Sequence, residues 1–339
     1  MENRGKLYSI ALASTALVFV FLIFVSAASS VQVTRIGNGS DPAIYGSKVA
    51  WTDRGVIHVY DLTTKTDTMV NSSAASYPAI YGNKLVWHDE SNGTPRLAVY
   101  DIETAARSYI TKDVDSYSIP AIYGNRIVWS ANYNETNYNY NVYMRDISTS
   151  TQTRIAYGEN PDIYDTRITY AAYDSGDWRS IFVYDIITGE TTQVPYSGDL
   201  NNPHIYGNTV IWSDTYTRLG YIAMYDIVTK KVTAVTNDTG ICDDGSESGS
   251  DTGAHTNIYG DKIVYAKASS DCLGSAGVYV YNISTAQSTQ VFDYEINILT
   301  TPDVYDDTVV WGIDNRYSDD AIDNGIYIID LSATNTLRQ

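Results

Sequence analysis

Three aspartates stand two residues beyond a tryptophan: Asp53 after Trp51, Asp89 after Trp87 and Asp214 after Trp212. Carboxylates gathered at one rim can hold Ca²⁺, which takes oxygen donors in a loose shell. The stretches "CDDGSESGSD" and "SDDAIDNG" offer the same donors. None follows the EF-hand spacing, so no metal ligand is assigned, calcium stays an option, and turn capping is the competing role for these acids. Histidine is scarce, with His58, His88, His204 and His255 only. A metal lyase needs several imidazoles converging on one point; His88 and His204 belong to separate repeats, and no Glu or Gln pattern joins them. No Ser/His/Asp arrangement or phosphate-cradling glycine loop stands out, so no catalytic residue is assigned. Stacking is the other chemistry on offer. Trp178, Tyr133, Tyr138, Tyr140, Tyr216 and Tyr317 sit among Asn and Asp in polar segments. Aromatics so placed suit a sugar ring or a protein contact, with packing of the loops as the alternative.

These residues hang on a repeat. "PAIYGSKVAWTD" begins at Pro42, "PAIYGNKLVWHD" at Pro78, "PAIYGNRIVWSA" at Pro120 and "PDIYDTRITYAA" at Pro161. "PHIYGNTVIWSD", "TNIYGDKIVYAK" and "PDVYDDTVVWGI" follow at Pro203, Thr256 and Pro302. The period runs at about 36 to 53 residues, the range of a propeller blade. Within one period, "PAIY" and "KLVW" flank a two-residue turn that starts with Gly, the type II′ preference. "RLAVYD" and "RSYIT" add a third and a fourth strand. Strands such as "LVW" and "IFVY" are apolar on consecutive residues, so both faces are covered. The reading is an all-β, seven-bladed β-propeller of four-stranded antiparallel blades. The second-strand aromatic (Trp51, Trp87, Trp129, Tyr170, Trp212, Tyr265, Trp311) wedges between blades. Asp61, Asp101, Asp146, Asp185, Asp226, Asn282 and Asp330 cap turns after the third strand. Val31–Ile36 has no blade of its own and should complete blade seven beside Ile326–Leu331; the rival for that slot is "NTLRQ" at the other end.

Composition narrows the role. The formal charge is −18 over 339 residues, and −19 without the N-terminal segment that carries Glu2, Arg4 and Lys6. Such an acidic surface repels phosphates, which disfavours nucleic-acid and anionic-membrane binding. Residues 1–29 read as a signal peptide or membrane anchor: basic start, apolar run Leu7–Val25, then small residues with cleavage expected near Ala27 to Ser29. Residues 30–339 are then the propeller, exported to the outside or the cell surface. Membrane contact would come only through an uncleaved N-terminus. Asn38, Asn71, Asn92, Asn134, Asn237 and Asn282 head Asn-x-Ser/Thr triplets and are glycosylation candidates.

The pattern "IYGNKLVW…VYDI" resembles the tandem propeller repeats of archaeal surface-layer-associated proteins, similar to TolB-like and YVTN-like propellers. The resemblance spans the chain beyond the N-terminal segment and implies an extracellular, envelope-associated role with no assigned chemistry.

Blade geometry puts the minimal turns on one face and every long connection on the other. Function is expected on the long-loop face, since binding residues collect on loops held by a rigid frame. Cys242 and Cys272 both fall there, about 30 residues apart, and a disulfide between them would add roughly 3 kcal/mol. The leading reading is a non-enzymatic binding or scaffold module whose partners are envelope proteins or surface glycans. The alternatives are an extracellular carbohydrate-active hydrolase or lyase, and a self-associating subunit of a surface filament or lattice.

Overall fold

The structure, a computed structural model, describes residues 32–332 except 72, 117, 135–138, 176–177, 197, 215–220, 237–255, 268–275, 295–300 and 314–324. Its 28 strands form seven four-stranded antiparallel sheets, all within the compact unit of residues 31–339. Six blades are continuous in sequence: residues 40–69, 75–110, 121–157, 159–193, 200–234 and 256–294. The seventh takes its three inner strands from residues 303–330 and its fourth from Thr34–Gly37. The expected seven-bladed propeller is what the chain forms.

Local chemistry explains each blade. In blade one, Ser40–Tyr45 turns through Gly46 and Ser47 into Lys48–Asp53, with Tyr45 opposite Lys48. Positive φ is confined to the first turn residue, as type II′ requires: Gly46 has φ 60°. Asp165 and Asp306 hold that position in blades four and seven, with φ 54° and 53°. After the third strand, Asp61, Asp101, Asp146, Asp185, Asp226, Asn282 and Asp330 each accept a backbone N–H two or three residues on, at 2.6–3.3 Å. Those bonds hold the Asp101, Asp185 and Asp226 carboxyls below the ordinary range, and the Ser148 hydroxyl leads for Asp146. The Lys48 ammonium, 2.9 Å from Asp61, leads there and lowers it to about 2.

The core lies in the seams between blades, which is why the strands need no polar alternation. Seven buried clusters occur, one per seam. Trp212 of blade five packs with Ala171, Ile181, Val183 and Val194 of blade four. Trp51, Trp87, Trp129, Trp212 and Trp311 are all buried, as are Tyr170 and Tyr265 at the same repeat position.

Ring closure uses the N-terminal strand. Thr34 pairs with Ile328 and Arg35 with Tyr327, antiparallel. The strand spans Thr34–Gly37 against Gly325–Asp330, shifted slightly from the boundaries read in the sequence. Gly37 is there because the chain runs against the first wedge: a Cβ would sit 2.5 Å from the Trp51 ring. The competing segment, residues 335–339, lies outside the described residues. So does the apolar run of residues 7–25; among the described residues no helix is long and apolar enough to cross a membrane.

Candidate functional site

The innermost strands line an axial channel whose two ends differ in chemistry. At the short-turn end stand Tyr45, Tyr81, Tyr123, Tyr164, Tyr206, Tyr259 and Tyr305, one per blade. Each ring contacts the next, with centroids 4.4–4.9 Å apart and planes inclined by 41–55°, and Tyr305 returns to Tyr45. Their hydroxyls lie close enough around the same circuit to influence one another's ionisation. Burial, and in most cases the neighbouring phenols, push the hydroxyls of Tyr45, Tyr81, Tyr123, Tyr164 and Tyr259 up in pKa.

At the long-loop end the channel widens into a cavity of about 480 Å³. None of the seven tyrosines lines it, so the cavity stops short of the aromatic ring. Its wall is built by the residue following each repeat-initial proline, or its equivalent. That position reads Ala43, Ala79 and Ala121 in blades one to three. It reads Asp162, His204, Asn257 and Asp303 in blades four to seven. At this position one side of the cavity is therefore alanine and the other polar, with prolines on both sides and Asp41 on the alanine side.

The polar side is stitched between blades. Asp303 Oδ2 accepts the Ile44 N–H at 2.8 Å, across the seam where the ring closes. Its Oδ1 accepts the Asn257 amide and its own chain's Val304 N–H, both at 2.7 Å. Asp162 accepts the Ile205 N–H at 2.9 Å from the next blade, and its Oδ2 lies 3.5 Å from His204 Nδ1. Burial pushes the Asp303 carboxyl up to about 6; the Ile44 and Val304 N–H groups and His204 pull it down, and Asp162 pushes it up.

The rim carries backbone strain. The residue before the proline has φ 54° at Asp41, 53° at Tyr77, and 48° at Asn160 and Asn202. Each sits in a β-bulge at the start of an inner strand. Asn and Asp tolerate that conformation; a bulky tyrosine rarely adopts it. Tyr77 is nonetheless there, exposed at the mouth together with Ile119.

Of the residues weighed in the sequence, His204 lines this cavity; among the described residues none of the aromatic or Trp-x-Asp candidates does. Trp178 is 45% exposed, its N–H donating to Asp174 Oδ1 at 3.2 Å within a loop of blade four. Tyr140 is half-buried in a third strand. Asp53 is half-buried beside Arg54, while Asp214 is buried at a strand end. Asp89 is buried too; desolvation would raise its pKa, but the Ser91 hydroxyl and N–H, at 2.7 and 2.9 Å, and Arg96 hold it below the ordinary range. Among the described residues no group of three or more His, Cys, Asp or Glu is placed to hold a metal ion. Of the glycosylation candidates, Asn38 and Asn92 are exposed. Asn71 and Asn282 instead donate their amide N–H groups to Gly55 and Ser73 carbonyls and to Asp261. Tyr138, Tyr216, Tyr317, Cys242, Cys272 and Asn237 lie outside the described residues, as do the side chains of Tyr133 and Asn134.

No family model matches the chain, and no curated protein does. Solved structures do. The propeller domain of the trilobed protease from Pyrococcus furiosus superposes with a TM-score of 0.62 at 14% identity, covering 87% of this chain and 93% of that one. That domain is described as having an open velcro topology, whereas here Thr34–Gly37 closes the last blade. An oligogalacturonate lyase in complex with manganese gives 0.60 at 14% identity, covering 91% and 96%. TolB from Acinetobacter baumannii gives 0.55 at 17% identity, covering 77% and 67%. At such identities the likeness establishes the propeller fold.

Proposed function

We propose that this chain is a non-enzymatic binding propeller of the cell envelope, engaging its partner at the long-loop mouth of the axial channel. The observation that carries the reading is the cavity of about 480 Å³ whose rim exposes Tyr77 and Ile119. Its size falls in the range of ligand pockets, and a tyrosine held at positive φ beside it fits strain kept for function. An exported, surface-held location is part of the same proposal, drawn from the N-terminal segment and the acidic surface. Site-specific photo-cross-linking in the native cell tests the reading. A benzoylphenylalanine at Tyr77 should capture a partner; one at Ile187, exposed on a short turn of blade four, should not. Capture from Ile187 alone would refute it. A second reading, a carbohydrate-active enzyme, draws on the Asp162–His204 pair facing the cavity. Turnover of a polysaccharide that vanishes in His204→Gln would favour it.

A further inference from the structure

The cavity's wall says what chemistry it suits. Three carboxylates line it, Asp41, Asp162 and Asp303, and no lysine or arginine does. The whole chain is acidic, at −18, so the mouth lies in a negative field. Opposite Asp162 run Pro78, Ala79, Pro120 and Ala121, which with Pro42 and Ala43 beside Asp41 offer no side-chain donor or acceptor. A neutral apolar guest would waste the polar side. An anionic guest would meet Asp162 and Asp303. An anion would gain only His204, which is already 3.5 Å from Asp162.

Resting on the binding reading above, we propose that the cavity takes a small organic ammonium ion. Its nitrogen lies among Asp162, Asp303 and Asn257, and its apolar body lies on the proline–alanine wall of blades one to three. An ammonium brings donors, which is what this side can use. Among the described residues, Asp303 Oδ2 accepts one hydrogen bond, from Ile44, and a carboxylate oxygen has room for two. Asp162 Oδ1 likewise accepts the N–H of Ile163 at 2.8 Å. Asn257 presents its amide between them, donating to Asp303 and accepting from Ile258 at 2.7 Å. Tyr77 at the rim adds an aromatic face that a cation can approach. The groups facing the nitrogen are thus Asp303 of blade seven, Asn257 of blade six, His204 of blade five and Asp162 of blade four. Two carboxylates and one imidazole thus make up the ionisable groups of this set.

Ligand-observed NMR on the purified protein at pH 7.5 and low salt tests this with three matched probes: phenethylamine, phenethyl alcohol and phenylacetate. The amine should bind at least ten-fold more tightly than either of the others. Added salt should weaken it, and the variant Asp162→Asn with Asp303→Asn should weaken it at least ten-fold. Asp101→Asn, at a turn cap on the short-turn face, should change nothing. Equal binding of amine and alcohol would overturn the cation assignment while leaving the binding cavity intact. So would failure of all three probes while Tyr77 still captures a partner. Failure of the probes and of Tyr77 capture together would take down both readings. The wild-type comparison of amine with alcohol needs no variant to fold.

Discussion

The two ends of the axial channel are made by the same seven strands, yet they have opposite rules. At the short-turn end every blade supplies a tyrosine, and each ring depends on both neighbours. At the long-loop end the corresponding position is Ala three times, then Asp, His, Asn and Asp. Where a residue must fit two identical neighbours, the repeat admits one side chain. Where it faces a cavity, each blade can differ, and the differences add up to a site. A propeller can therefore be uniform in packing and specific in binding within a few residues of one strand.

The broadest way to break this contrast is to remove what both ends share. Trp212→Ala empties a fully buried wedge between blades four and five. A loss of about 3–5 kcal/mol in denaturant unfolding is expected, because the neighbouring strands cannot collapse into the space. A loss under about 1 kcal/mol would mean the seams do not carry the fold.

The next test separates the ends by pH. Folded Asp303 keeps its proton up to about pH 6, whereas its ordinary value is 3.8. Between those values the folded chain binds more protons than the unfolded one, so stability should fall as pH rises through the window. The contribution is complete below about pH 4 and gone above about pH 6, roughly 2–3 kcal/mol in size. Asp61, lowered to about 2, acts the other way and only at lower pH. Asp303→Asn should flatten the stability profile between pH 4 and 6, read by urea unfolding at each pH. An unchanged profile would show that Asp303 is not the group responsible.

The smallest effect belongs to the uniform end. Tyr164→Phe keeps the ring contacts with Tyr123 and Tyr206 and removes one hydroxyl from the circuit. About 1 kcal/mol should be lost. A double-mutant cycle with Tyr305→Phe, several blades away, should still show coupling if the hydroxyls polarise one another around the ring. Strict additivity would reduce the circuit to seven independent pairs.

Most of the fold could be read before any coordinates, because the repeat states its own rules. Gly-first turns, apolar runs, a wedge aromatic and a capping acid recur with little variation. The closing strand was legible because Val31–Ile36 matches a fourth strand without a blade. The site was not legible for the same reason. Ala43, Ala79, Ala121, Asp162, His204, Asn257 and Asp303 look like ordinary drift when the repeats are stacked one above another. Only bending the stack into a ring turns that column into a wall with two sides. Trp178 and the tyrosines of the long loops stand out by composition, but the repeat does not define their positions. The tyrosine ring was visible as a column too, but a column does not say that its last member touches its first. Tyr77 gave no signal, since left-handed backbone at a tyrosine has no mark in composition.

The pairing of Thr34 with Ile328 has a consequence for how the molecule is made. The propeller's first strand leaves the ribosome long before its partner and must wait for it. For all that time blade seven does not exist, and the flank of blade one that will meet it, with Trp51, Val49 and Ile44, stays uncovered. Assembly should thus end in one late, all-at-once locking event, and a truncated translation product would be a sticky arc with two exposed flanks.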